Sequence, residues 1–117
     1  MNDKTDDKER ILRENVQEYL SSAEHALKNT KYNVAVTLFF KALCDSADLF
    51  LYLKTKQVPS SHSNRFAILK KDYTKIYELL DKDFPFYQDS YTKKMSKEAA
   101  EVLRDDARTI AQSTEKI

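Results

Sequence analysis

The 117-residue chain contains no glycine. Glycine is the residue that supplies positive φ at low steric cost, so its absence removes the usual material of tight hairpin turns, phosphate loops and β-bulges. P-loop and Rossmann architectures, which need glycine where backbone approaches phosphate, are excluded. Helices joined by short links suit the chain best, because their ends can be closed by Asn, Ser, Thr and Asp side chains.

Apolar residues recur at helical spacing in four segments. Leu12, Val16, Tyr19, Ala23 and Leu27 share one face and predict a helix over residues 7–28. Asp6 with Glu9 three residues on marks its start, and Asn29-Thr30 can both end it and cap the next helix. Residues 31–56 are different. Ala35, Val36, Leu38, Phe39, Phe40, Ala42, Leu43, Ala47, Leu49, Phe50, Leu51 and Leu53 cover roughly two thirds of the circumference. That arc is wider than contacts within one small bundle usually need, which predicts a homodimer through this helix. The remaining narrow arc carries Thr37, Lys41, Asp45 and Asp48, edged by Val34 and Tyr52.

Pro59 cannot continue that helix, and Ser60 or Ser61 can cap a third over residues 61–81. Its apolar face is Phe66, Leu69, Tyr73, Ile76 and Leu80, with a kink or break expected at Asp72. DKDFPFYQDSYT reads as an aromatic-rich connection around Pro85, with room for a short extra helix near residues 83–91. Met95, Ala99, Val102, Leu103, Ala107 and Ile110 predict a last helix over residues 92–113, capped by Thr92 or Ser96. Short links between long helices favour an all-α fold of one domain, an antiparallel four-helix bundle.

Two stretches carry a resemblance. KYNVAVTLFFKALCDSADLFLYLKTKQVPSSHSNRFAIL has a helix opening at Tyr32, then Ala35-Val36 and Ala42, a linker with Pro59, and His62 ahead of Leu69. SYTKKMSKEAAEVLRDDARTIAQ follows as a closing helix. Over residues 15–112 the chain resembles the HEPN domain family. The resemblance implies a helical bundle that often dimerises and often accompanies a minimal nucleotidyltransferase or belongs to a toxin–antitoxin pair. Many such relatives are metal-independent ribonucleases using an arginine followed four to six residues later by histidine. Arg10, Arg13, Arg65, Arg104 and Arg108 are the arginines here, His25 and His62 the histidines, and none stands at that spacing. The reading that follows is a non-catalytic HEPN-like interaction module, associated with a nucleotidyltransferase-type partner or with nucleotides and nucleic acid. Its alternative is a ribonuclease with a non-standard site.

His62 and Arg65 are the candidates for that site: an imidazole that titrates near neutrality and a cation one turn later to steady phosphate. Read structurally, the same two are a locally bonded first-turn residue and a surface cation. Lys41, Asp45 and Asp48 are either an exposed, ion-paired strip or, if enclosed, a ligand site in which two acids outnumber one base. Phe84, Phe86, Tyr87 and Tyr91 either close one end of the bundle or stack on bases beside Lys93, Lys94 and Lys97. With Lys70 and Lys71 these lysines form a candidate nucleic-acid face, and the excess of basic residues falls in residues 54–97. The single Cys44 has no partner for an internal disulfide and no histidine nearby in sequence to activate it. No metal or cofactor motif is present. The charged opening MNDKTDDKER and the absence of a long apolar run predict a cytoplasmic protein without membrane insertion.

Overall fold

Asp6 accepts the amide of Glu9 at 2.7 Å and opens helix α1, Asp7–Lys28, as the spacing of these two residues predicts. The computed structural model describes residues 6–117; residues 1–5 of the charged opening lie outside it. Four more helices follow: α2 (Tyr32–Thr55), α3 (His62–Asp72), α4 (Thr74–Asp89) and α5 (Lys97–Thr114). Among the described residues there is no strand, so the fold is all-α, with five helices where the sequence predicts four.

The lack of glycine leaves a mark at both ends of α2. Thr30 before it sits at φ 61° and Lys56 after it at φ 63°, left-handed backbone that costs a non-glycine residue about 1–2 kcal/mol. Thr30 therefore turns the chain and does not cap α2, whose N-cap is Lys31 without a side-chain bond. Asn29 keeps the other half of the expected role and closes α1.

Helix α2 is the axis of the molecule. Tyr52 near its end donates to Asp6 at 2.6 Å, so α1 runs antiparallel to it. Phe40 stacks on Tyr87 and Phe50 meets Tyr73 edge-on, which sets α4 antiparallel along another side. Asn33 holds the residues before α5, and Phe50 shares a groove with Ile110, so α5 runs parallel to α2. Wrapped in this way, Ala35, Val36, Phe39, Leu43 and Ala47 lose all exposure, and Leu49 and Leu51 nearly all. Only Val34 is left exposed, with Leu38, Phe50 and Leu53 half-buried. The apolar girdle of α2 is thus covered by its own chain, and the premise that it needs a second copy does not hold.

The third predicted helix divides at Tyr73, one residue past Asp72. Tyr73 leaves helical backbone (φ −141°, ψ 64°); its amide closes α3 on the Leu69 carbonyl and its own carbonyl accepts from Tyr77 to begin α4. Helix α4 then continues straight through DKDFPFYQD, where the sequence suggests a connection. Pro85 forfeits a bond to the Asp81 carbonyl, a defect worth about 3 kcal/mol in a helix interior. Both residues are exposed, so water can reach the freed carbonyl. The opposite face repays the helix by burying Leu80 and setting Phe84 and Tyr87 on Phe40.

The last helix starts at Lys97 with Ser96 as cap, not at residue 92, because the preceding turn is held by α2. Asn33 donates to the carbonyls of Ser90 (2.9 Å) and Lys93 (2.7 Å) and accepts the Met95 amide (2.9 Å). Asn33→Ala removes all three bonds and is expected to cost about 2 kcal/mol. Hydrogen exchange should show the Met95 amide losing protection ahead of the helices; unchanged protection there would contradict the assignment.

Candidate functional site

Lys41, Asp45 and Asp48 follow at steps of four and three and so share one face of α2. That face meets α3 and α4, not open solvent. Asp48 is 6 % exposed, and Lys41 and Asp45 are half-buried.

The partner of Asp48 comes from α3, and local chemistry puts it there. Ser61 accepts the Asn64 amide at 3.0 Å while Asn64 Oδ1 accepts the Ser60 amide at 3.0 Å, fixing the first turn of α3. His62 and Arg65 then stand one turn apart on the side facing α2. Arg65 Nε donates to Asp48 Oδ1 at 2.7 Å and Nη2 to Oδ2 at 2.8 Å, a two-pronged ion pair with both side chains at least nine-tenths buried. Arg65 is therefore a buried group, and the surface-cation reading is corrected.

Arg65 Nη1 lies 2.7 Å from His62 Nδ1. A guanidinium has donors only, so Nδ1 must accept and the ring proton of neutral His62 resides on Nε2. Protonating Nδ1 would set two donors against each other. Partial burial, then the charges of Arg65 and Lys41, hold the His62 pKa below its ordinary value, with Asp48 opposing. Cys44 is also drawn in beside these groups, but burial pushes its thiol up to about 12, so no thiolate forms at neutral pH.

Lys41 and Asp45 do not pair, contrary to their spacing. Lys41 Nζ lies over the Tyr87 ring, 5.8 Å from its centroid. Among the described residues Asp45 has neither an ion-pair nor a hydrogen-bond partner in its side chain. Burial, then the neighbouring Asp48 carboxylate, push its pKa up to about 6 against the pull of Arg65 and Lys41. With Arg65 matched to Asp48, Asp45 is the carboxylate left over.

Together Tyr19, Phe40, Lys41, Cys44, Asp45, His62, Arg65 and Tyr87 line a cleft of about 160 Å³. Four helices contribute to it. The two candidate groups that the sequence offers separately are thus one site, with Asp48 behind its wall. Sequence reasoning placed Tyr19 on the core face of α1 and Tyr87 among the aromatics of the connection; nothing in the local pattern joins them to Lys41.

The proposed nucleic-acid face is not assembled in the same way. Lys70 and Lys71 end α3, just before α4, while Lys93, Lys94 and Lys97 follow α4. The length of α4 separates the two groups by about 24 Å. Lys93 is paired with Asp89 at 3.4 Å, and Tyr91 beside it is 70 % exposed. A larger groove of about 320 Å³ between α2, α4 and α5 is lined by Phe50, Tyr73, Ile76, Leu79 and Ile110 and holds none of the candidate residues.

Among the described residues no helix is long and apolar enough to cross a membrane, and no three His, Cys, Asp or Glu side chains gather to hold a metal ion. No family model, curated protein or solved structure matches the chain.

Proposed function

We propose that this chain is a non-catalytic HEPN-like binding module: a four-helix bundle of α1, α2, α4 and α5 with α3 packed across it. It takes a nucleotide, free or at an unpaired position of a nucleic acid, in the cleft beside Lys41 and Asp45. The resemblance to the HEPN family supplies its place beside a nucleotidyltransferase-type partner. A buried, unreactive Cys44 suits a reducing, cytoplasmic setting. A homodimer, which the resemblance implies, is not needed to cover α2 and forms no part of this reading.

One observation carries the choice of binding over catalysis: Arg65 is locked between Asp48 and His62. To steady a phosphate, Arg65 would have to abandon a buried carboxylate, at a cost of about 3–5 kcal/mol. His62 is equally constrained. Its basic nitrogen Nδ1 faces a guanidinium and its outer nitrogen Nε2 already carries a proton, so the ring can donate a hydrogen bond but is poorly placed to take up a proton. The ribonuclease alternative needs both residues free.

The test uses a mixed RNA pool incubated with purified protein and with its His62→Ala variant. RNA should survive equally in both samples. Faster loss with the unaltered protein would overturn the non-catalytic reading.

A further inference from the structure

We infer that the cleft is built for the base of a guanine nucleotide, an inference that rests on the binding-module reading above. The cleft presents three unused polar groups of different character. Among the described residues Asp45 is an acceptor without a donor and Lys41 is a cation over the face of Tyr87 with no ion-pair partner; His62 offers Nε2–H, because Nδ1 is taken by Arg65. A bound phosphate would satisfy Lys41 and His62 but would set its own charge against Asp45. A simple cation would satisfy Asp45 and repel Lys41. A neutral ligand that brings both donors and acceptors satisfies all three groups at once.

Among the common bases guanine does this along one edge. Its N1–H and 2-amino group are adjacent donors that a carboxylate can accept together, and its O6 and N7 are acceptors of the kind that lysine reads in duplex DNA. Adenine and cytosine would turn a ring-nitrogen acceptor towards Asp45, and uracil offers a single N–H between two carbonyls. Tyr19 from α1 and Tyr87 from α4 give the cleft aromatic walls, but Tyr87 is already stacked on Phe40 with Lys41 over its ring, so the polar groups, and not stacking on that ring, select the base. The cleft's volume of about 160 Å³ is below the roughly 300–1,000 Å³ of a site that encloses a whole drug-sized ligand. One base fits inside, and the sugar and phosphate stay outside.

Calorimetric titration of the full chain with GMP, AMP, CMP and UMP at pH 7.5, where Asp45 is ionised, tests this. GMP should bind at least tenfold more tightly than the other three. Asp45→Asn, shown by circular dichroism to retain its helices, should lose that tenfold preference, since an amide offers one acceptor in place of two. Four equal affinities, or an Asp45→Asn variant that prefers GMP as before, overturn the guanine assignment and leave nucleotide binding standing. Failure of all four nucleotides to bind overturns both.

Discussion

Asp48→Ala is expected to lower the stability of this chain by about 3–5 kcal/mol. The reason lies in what the substitution leaves behind. Arg65 stays in the wall of the cleft, with a side chain only 10 % exposed, and loses the carboxylate that takes its Nε and Nη2 protons. Asp45 attracts Arg65 through space but makes no hydrogen bond to it, so it does not replace the two bonds that Asp48 accepts. Urea unfolding at pH 7 measures the loss as a shift of midpoint at constant slope. The double substitution Asp48→Leu with Arg65→Met makes the argument sharper. Removing both charges and refilling the space with apolar groups should come close to the unaltered protein, because burial of the pair offsets most of its attraction. With the single changes Asp48→Leu and Arg65→Met measured beside it, the coupling between the two sites appears as the departure of the double change from their sum. A loss below about 1 kcal/mol for Asp48→Ala would mean a hydrated pair and a mobile Arg65, and would return that residue to the list of groups able to meet a phosphate.

How much of this arrangement can be read from the sequence depends on the reach of each interaction. Asp6, Ser61 and Ser96 cap helices by bonds to amides three residues away, so their roles are visible in short windows. The positions that shape the molecule at long range are not. Asn33 fixes the start of α5 through bonds spanning some sixty residues, and without that knowledge Thr92 looks as good a cap as Ser96. Pro85 reads as a breaker because sequence shows its missing amide but not the contacts of Phe84 and Tyr87 with Phe40 that hold α4 together. The apolar arc of α2 gives the width of the surface to be covered. It cannot say how many of the chain's own helices do the covering, and here they cover nearly all of it.

The cleft shows the same division. Periodicity collects Lys41, Asp45 and Asp48 on a line and sets His62 one turn from Arg65, and both statements are true of the structure. That the two groups meet depends on how the linker around Pro59 returns α3 to α2, which no spacing rule supplies. Charge counting along the line still carried information. Two acids and one base imply a surplus carboxylate if the line is enclosed, and once Arg65 is matched with Asp48 the surplus can be placed on Asp45.

Asp83→Asn is expected to stabilise the protein, and to do so more as pH rises. Asp83 sits in the charged run DKD and looks like a surface residue, yet the continuation of α4 through Pro85 buries it completely. Among the described residues neither of its carboxylate oxygens has a hydrogen-bond partner, and its neighbour across the helix interface is another acid, Asp106 on α5. Lys82 Nζ lies 2.9 Å from Asp106 but 3.8 Å from Asp83, so this cation serves Asp106 first. Burial, then the side chain and charge of Asp106, push the Asp83 pKa up to about 8. A protonated Asp83 can donate to the Asp106 carboxylate, which supplies the partner that the ionised form lacks. In the unfolded chain the same group titrates near pH 4. Between about pH 4 and 8 the folded state therefore binds a proton that the unfolded state does not, so this group's contribution to stability is complete below pH 4, falls as pH rises and is gone above 8. Asparagine keeps a donor for Asp106 at every pH. The variant should match the unaltered protein within about 1 kcal/mol at pH 4.5 and exceed it by roughly 3–5 kcal/mol at pH 8.5, as measured by urea unfolding at both values. A difference that stays flat between them would show that Asp83 is ionised throughout and matched by Lys82, and the shared proton between α4 and α5 would have to be given up.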